Sequence, residues 1–118
     1  MGKTEGGGMT EAEMQRLAER YLKAHALKYF HIKNNAGQQR HRASSHKHLK
    51  GWPDLTIFFP GGKVLLVELK TPEGRLTAEQ KEHLKLFSAL GFSTCVCTDI
   101  ADFYETVRHY SARCRGAI

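Results

Sequence analysis

Two short apolar runs with strong turn chemistry between them restrict the fold of this chain more than any other feature. Leu55–Phe59 and Val64–Leu69 are rich in β-branched, aromatic and leucine side chains, and Pro60-Gly61-Gly62 separates them. Such runs favour extended backbone, and a Pro-Gly-Gly sequence favours a tight reversal of the chain. The sequence therefore predicts a β-hairpin over residues 55–69.

The second strand of this hairpin carries charge where a buried strand is normally apolar. Because strand side chains alternate between faces, Glu68 and Lys70 lie on one face together. Asp54 opens the neighbouring strand and brings a second carboxylate to the same end. Two converging carboxylates repel each other, and a hard divalent cation such as Mg²⁺ or Mn²⁺ relieves the repulsion. With a lysine beside them to hold water or balance negative charge, the residues indicate phosphodiester hydrolysis.

The hairpin and its flanks resemble the PD-(D/E)xK nuclease superfamily, through Pro53-Asp54 followed by Glu68-Leu69-Lys70. More narrowly, they resemble its VRR-NUC branch, whose small members occur in phages and bacteria. The bare Pro-Asp and Glu-x-Lys pattern is weak, whereas the extended set is specific and spans roughly residues 10–108. The extended set comprises Gly51-Trp52-Pro53-Asp54-Leu55, the hairpin glycines, Val67-Glu68-Leu69-Lys70-Thr71, and Gly74-Arg75-Leu76-Thr77 with Gln80.

The resemblance implies a DNA endonuclease that depends on Mg²⁺ or Mn²⁺. Asp54 and Glu68 would hold the cation, and the backbone carbonyl of Leu69 would join them because carbonyl oxygens are common ligands of hard cations. Lys70 would position the attacking water or neutralise the charge that develops in the transition state. We expect loss of cleavage without loss of fold when any of these side chains is removed.

Two further side chains are expected near this centre. In the resembled family a glutamine that follows the Glu-x-Lys strand lies near the catalytic residues, and Gln80 matches it, although Gln80 also completes a helix-capping box with Thr77. Such families commonly take a glutamate from the N-terminal helix as well. Glu11 is the position we match to that glutamate, as a metal ligand or a member of the outer shell of the metal site, with Glu13 and Glu19 as its competitors. A solvated helix charge is the alternative for each of them.

The rest of the chain predicts helices and strands around the hairpin. Residues 9–28 have apolar side chains at three- and four-residue steps and predict a helix, and residues 29–33 predict a short strand. Residues 77–90 predict a second helix, residues 92–98 another buried strand, and a last helix follows. The order is αβββαβα, and a right-handed crossover makes the last two strands parallel. We predict an α/β fold with a mixed central sheet flanked by helices, which the resemblance identifies as a restriction-endonuclease-like core.

Length and composition predict a single domain. A chain of 118 residues supplies one hydrophobic core without disulfides. We assign residues 9–110 to the nuclease-like domain, residues 1–8 to a disordered N-terminal tail and residues 111–118 to a frayed C-terminal tail. No apolar run approaches the ~20 residues of a membrane helix, and residues 1–8 do not form a signal sequence. The expected location is the cytoplasm of a bacterium or a phage-infected host cell.

The positive charge of the chain is unevenly distributed. Formal net charge is +6, and residues 28–50 contain lysines and arginines but no acid. This excess predicts a polyanion as partner. Residues 36–50 lack hydrophobic periodicity and predict a mobile basic loop over the active site, which contacts DNA phosphates without reading bases; a solvated surface loop is the alternative. The residues expected to contact nucleic acid are Lys33, Arg40, Arg42, Lys47 and Lys50.

These features together predict a divalent-metal-dependent DNA endonuclease. A short basic loop supplies little base readout, so cleavage selective for branched DNA or four-way junctions, or weakly sequence-specific cleavage, is preferred. The resemblance implies that small stand-alone members can be homodimers, because two active sites can cut two strands. The rival interpretation is a non-catalytic nucleic-acid-binding or assembly module, in which Asp54, Glu68 and Lys70 form structural ion pairs only.

Overall fold

The computed structural model describes residues 8–32 and 50–116, with the side chains of residues 115 and 116 excepted. Over these ranges the chain forms helices and strands in the predicted order αβββαβα. The elements are α1 (Glu11–Ala24), β1 (Lys28–His31), β2 (Leu55–Phe59), β3 (Lys63–Leu69), α2 (Ala78–Ala89), β4 (Ser93–Cys97) and α3 (Ile100–Gly116).

The strands form one mixed sheet in the order β1-β2-β3-β4. β1 pairs with β2 and β2 pairs with β3 in antiparallel fashion, and β3 pairs with β4 in parallel, with α2 as the crossover. A mixed sheet flanked by helices confirms the predicted fold class. The parallel pairing brings the C-terminal ends of β3 and β4 to the same end of the sheet, and β2 begins at that end too.

The predicted hairpin is present with the predicted turn. Leu55 pairs with Val67 and Phe59 pairs with Lys63, and Pro60–Gly62 makes a short 3-10 turn between the strands. Gly61 and Gly62 have φ angles of 80° and 74° there, which favour glycine because it has no Cβ. This register aligns the start of β2 with the end of β3, which is what brings the predicted acidic residues together.

The core lies between the sheet and the helices α1 and α3. In β3 every residue from Leu65 to Leu69 is buried, so the strand is covered on both faces, as strands in parallel pairing usually are. One face of the sheet contacts the apolar stripe of α1 and the inner side of α3. The helix residues that are buried in this core are Met14, Ala18, Leu22, Phe103, Val107 and Cys114.

The ends of three elements differ from the sequence-based prediction. α1 ends at Ala24 rather than near residue 28, because Ala26 turns into the left-handed region with φ 56° and the Leu27 N–H donates to the Leu22 carbonyl over 2.9 Å. β1 is accordingly Lys28–His31 instead of residues 29–33. α3 continues to Gly116 and packs Cys114 into the core, whereas the sequence-based prediction placed a frayed tail from residue 111.

Some predictions fall on parts of the chain that lie outside the described residues. These parts are residues 1–7 of the N-terminal tail, residues 36–49 of the basic loop, and the basic side chains Lys33, Arg40, Arg42 and Lys47. Among the helices in the described ranges, none has the length and apolar character needed to cross a membrane.

Candidate active site

Asp54 is held against the end of β3 by a backbone hydrogen bond. The residue lies directly before β2, and its Oδ2 accepts a hydrogen bond from the Leu69 N–H over 2.7 Å. Its carbonyl oxygen accepts another from the Ile32 N–H, 3.1 Å away and just beyond β1. Since Leu69 is flanked by Glu68 and Lys70, the first contact places the aspartate beside both of them. The structure therefore brings the three residues of the predicted centre together.

The carboxyl groups of Asp54 and Glu68 oppose each other's ionisation. Glu68 is only 2% exposed. Its burial raises the pKa of Glu68 far above the ordinary range, and the nearby Asp54 charge raises it further. Burial also raises the pKa of Asp54, although the Leu69 N–H acts in the opposite direction. Burial and the repulsion between the two charges therefore both favour the protonated form of this acidic pair.

Gln80 provides one hydrogen bond to the buried carboxyl group. Its Nε2 donates to Glu68 Oε2 over 2.9 Å. The same residue closes the capping box of α2, because its Oε1 accepts from the Thr77 N–H and its N–H donates to Thr77 Oγ1. Gln80 thus joins the start of α2 to the acidic pair, and the sequence-based expectation of a position near the centre agrees with the geometry. Glu68 Oε1 is buried and has no hydrogen-bond partner among the described residues.

Lys70 lies close enough to the acidic pair for its charge to act on Glu68, and it contacts the start of α1. Its side chain is 14% exposed, and its Nζ is 3.8 Å from Oε2 of Glu11, the first residue of α1. Among the candidate glutamates, Glu13 closes the capping box with Thr10 instead. The structure therefore brings Glu11 to the site, and there it contacts the lysine.

The acidic pair suits a divalent cation that is shared with a substrate. Within residues 8–32 and 50–116, no three histidine, cysteine or acidic side chains are grouped closely enough to hold a metal ion by themselves. Asp54 and Glu68 nevertheless offer converging carboxylate oxygens, and Glu68 Oε1 is buried with no partner in the described ranges. Mg²⁺ is commonly bound by one or two carboxylates together with phosphate oxygens and water. The residues present fit that pattern.

Comparison with known proteins gives the chain a family. The family model of the VRR-NUC domain matches residues 8–99. This chain belongs to the VRR-NUC family. Its members are nuclease-type domains, and that membership implies nuclease activity with DNA as the substrate class. Nucleases of this kind generally use divalent metals. No match to a curated protein was found.

Two solved structures share the fold of this VRR-NUC domain. One is a VRR-NUC domain with a TM-score of 0.65 and 18% identity, and the alignment covers 86% of this chain and 99% of that chain. The other is a VRR-NUC domain protein with a TM-score of 0.66 and 24% identity, covering 87% of this chain and 88% of that chain. The likeness covers most of this chain, and it supports the fold class directly.

A polar cluster beside the acidic pair was not predicted from the sequence of this VRR-NUC domain. The Glu19 carboxylate accepts from the Tyr29 hydroxyl over 2.7 Å and from Gln15 Nε2 over 2.9 Å, and it lies 3.1 Å from His31 Nδ1. Charge on His31 acts to lower the pKa of Asp54, so the cluster lies within electrostatic range of the site. Its signal in the sequence was the two-residue spacing of Tyr29 and His31, which turns both side chains towards α1.

Of the residues predicted to contact DNA, Lys50 is the one that lies within the described ranges. Its side chain is 69% exposed and its Nζ lies 3.8 Å from Glu79 Oε2 on α2. An exposed pair of this kind contributes little to stability. The position is adjacent to the start of α2, so Lys50 lies on the same side of the VRR-NUC domain as Gln80.

Proposed function

We propose that this VRR-NUC domain is a divalent-metal-dependent DNA endonuclease with its active site at the end of the hairpin. The observation that carries the proposal is the burial of Glu68 beside Asp54 with one carboxylate oxygen unpartnered within the described ranges. A buried carboxyl pair is costly, and a metal ion is one of the few partners that offsets the cost.

Asp54, Glu68 and the backbone carbonyl of Leu69 would hold Mg²⁺ or Mn²⁺ in this proposal. When bound, such a cation polarises the scissile phosphate and lowers the pKa of a water molecule. The Leu69 N–H orients the Asp54 carboxylate for binding the cation by donating a hydrogen bond to it. Burial excludes water from Glu68, and its carboxylate therefore interacts more strongly with charges inside the site.

The remaining site residues act on the reacting groups or on each other. Lys70 holds the attacking water or balances the negative charge that develops on the phosphorus oxygens, because its ammonium group lies beside the acidic pair. Glu11 restrains the position of that ammonium group through the 3.8 Å contact. Gln80 donates a hydrogen bond to one oxygen of Glu68, and the other oxygen, which has no partner in the described ranges, would be available to hold the cation. These three side chains come from different parts of the fold: Glu11 from α1, Lys70 from directly after the end of β3 and Gln80 from α2.

For the substrate, we infer cleavage selective for DNA structure or only weakly specific for sequence. The net charge of +6 is concentrated in residues 28–50, which supports phosphate contacts rather than base readout. Branched DNA and four-way junctions suit this mode of binding, because their shape differs from that of a duplex. A homodimer would place two active sites on one junction. Chromatography with light scattering measures that oligomeric state.

The first experiment compares cleavage of labelled single-stranded, duplex, flap and four-way-junction DNA with Mg²⁺, Mn²⁺ or EDTA. Wild type is tested beside Lys70→Ala and the matched control Lys63→Ala, which removes an exposed lysine from the other end of the same strand. We expect metal-dependent cleavage that Lys70→Ala lowers by about 100-fold or more and that Lys63→Ala retains. Binding without cleavage in every metal would favour the non-catalytic module and contradict the proposal.

A further inference from the structure

Gly51 lies in closer contact with a neighbouring element than any side chain would allow. It is buried and has a φ angle of 81°. A Cβ atom added to it would lie 2.5 Å from Glu79 Cβ, 2.6 Å from the Glu79 carbonyl carbon and 2.8 Å from the Gln80 backbone nitrogen. These atoms form the first turn of α2, and none of them is the movable end of a side chain. Any residue other than glycine must therefore displace that turn or be displaced by it.

The close contact distinguishes Gly51 from the glycines of the hairpin turn. Gly61 and Gly62 have similar positive φ angles, 80° and 74°, but an added Cβ would have no atom within 4 Å at either position. Replacement by alanine costs conformational strain at all three positions. At Gly51 alone among these three it also causes a collision with backbone. The requirement for glycine at position 51 is thus one of packing as well as conformation.

The contact connects the segment before Asp54 to the helix that carries Gln80. On one side of Gly51, Lys50 Nζ lies 3.8 Å from Glu79 Oε2. On the other side, the ring of Trp52 lies 5.3 Å from the His83 ring and 5.1 Å from the Phe87 ring, measured between centroids. Three consecutive residues therefore lie along α2, and the glycine is the one whose added Cβ would meet the backbone of that helix.

Both partners of this contact lead directly to Glu68. Three residues after Gly51, Asp54 lies against the acidic pair. On the other side, Gln80 donates its side-chain hydrogen bond to Glu68 over 2.9 Å. Because the Gln80 backbone nitrogen is one of the three atoms that a Cβ at position 51 would meet, a shift there moves the backbone that carries the Nε2 donor. A hydrogen bond is sensitive to such shifts in distance and angle.

We propose that Gly51 is a positioning residue of the active site, which sets the place of Gln80, and through it the orientation of Glu68, by backbone contact with the first turn of α2. The inference rests on the proposed function for its effect on cleavage. Its structural part, the dependence of the Gln80 position on residue 51, stands independently of that function.

The test combines two cleavage measurements with one spectroscopic measurement. Cleavage is measured for Gly51→Ala, Gln80→Ala, the double variant and the control Gly61→Ala, which has the same backbone strain without the collision. The side-chain NH₂ resonances of Gln80 are recorded by NMR for wild type and both glycine variants. We expect Gly51→Ala to lower cleavage by about 10-fold to 100-fold, as loss of an orienting group usually does, and to move the Gln80 resonances. We expect Gly61→Ala to do neither.

The double variant decides whether Gly51 acts through Gln80. If it does, Gly51→Ala has no further effect on cleavage when Gln80 is already alanine. The inference would be overturned if the double variant lost cleavage by the product of the two single losses. It would also be overturned if Gly51→Ala and Gly61→Ala cleaved DNA equally well, or if Gly51→Ala left the Gln80 resonances unmoved. Full cleavage by Gln80→Ala would also overturn it while leaving the nuclease intact. If wild type cuts no DNA, the proposed function fails, and the NMR comparison still decides the positioning role.

A variant without added bulk covers the case in which Gly51→Ala does not fold. Trp52→Leu loosens the same segment on α2 by removing the ring contacts with His83 and Phe87. We expect it to move the Gln80 resonances and to lower cleavage in a manner that is not additive with Gln80→Ala. Unchanged resonances in folded Trp52→Leu would overturn the inference.

Discussion

Gln80 donates a side-chain hydrogen bond to the buried carboxyl group of Glu68 across 2.9 Å, and this bond links the start of α2 to the acidic pair. We expect Gln80→Glu to lower metal-dependent cleavage by about 10-fold to 100-fold. The substitution preserves size and keeps a capping-box residue at the start of α2, since glutamate serves there as well as glutamine. It removes the donor and adds a third carboxyl group. Cleavage rates at saturating Mg²⁺ measure the effect.

Helix stability is the control for that variant. The far-ultraviolet circular dichroism and urea midpoint of Gln80→Glu should stay close to those of wild type, because the cap is retained. A cleavage rate equal to that of wild type would show that the hydrogen bond to Glu68 has no part in catalysis.

The stability of the metal-free protein should depend on pH through Glu68. The pKa of this group is raised in the folded chain above its ordinary value of 4.5. Between the ordinary pKa of the unfolded chain and the raised pKa of the folded chain, the folded chain therefore binds more protons. Within that window the free energy of unfolding falls as the pH rises. We expect Glu68→Gln to stabilise the protein at pH 7 to 8 in EDTA by about 1–3 kcal/mol, because the unfolded wild-type chain gains stability by ionising this carboxyl group and the amide removes that gain. The same change should weaken the pH dependence.

Urea denaturation between pH 5 and 8 measures this free energy. Glu82→Gln, an exposed change on α2, is the matched control and should leave the curve unchanged. Added Mg²⁺ should stabilise wild type and have little effect on Glu68→Gln. A pH slope that is identical in Glu68→Gln and wild type would contradict the assignment of the raised pKa to this residue.

Glu11 should affect cleavage through Lys70. Because its carboxylate lies 3.8 Å from the Lys70 ammonium, Glu11→Gln removes the charge that restrains the lysine. We expect a loss of about 10-fold in cleavage rate, of the size found for groups that orient another residue, and an unchanged Mn²⁺ affinity by calorimetry. Glu13→Gln is the matched control, because glutamine preserves the capping box with Thr10. Weaker Mn²⁺ binding by Glu11→Gln would instead identify Glu11 as a metal ligand.

The basic segment should supply salt-dependent binding without sequence preference. We expect the double variant Arg40→Ala, Arg42→Ala to weaken binding to every DNA tested. The slope of log affinity against log salt should fall by about 1 for each DNA phosphate that the variant no longer neutralises. Titration at several KCl concentrations measures that slope. Lys23→Ala, which removes an exposed charge from the last turn of α1, is the control. Weakening confined to one DNA sequence would indicate base contacts instead.

Local sequence was sufficient to predict the hairpin, the order of elements and the capping boxes. The alternation along β2 and the Pro-Gly-Gly turn specify register within a few residues of chain, so the meeting of Asp54 with Glu68 followed from the sequence. The caps at Thr10 and Thr77 are likewise local, because the residues that close them are three positions apart.

Contacts between distant elements were not predictable in the same way. The pairing of Glu11 with Lys70 depends on how α1 lies across the sheet, and residue spacing carries no information about that placement. The early end of α1 had no glycine to mark it, since Ala26 takes the left-handed conformation itself. The continuation of α3 depends on Cys114, a buried thiol whose partners lie elsewhere in the chain.

Construction of the site from separate elements also fixes the order in which a growing chain acquires it. Asp54 and Glu68 belong to one hairpin and can meet as soon as that hairpin has been synthesised. The amide that holds Glu68 belongs to residue 80, and the strand that covers β3 on its other edge is Ser93–Cys97. A nascent chain therefore carries the acidic pair before it carries the groups that bury and orient it. Assembly of the complete site waits for residue 80 and for Ser93–Cys97, so the reactive geometry is absent until those residues have been synthesised.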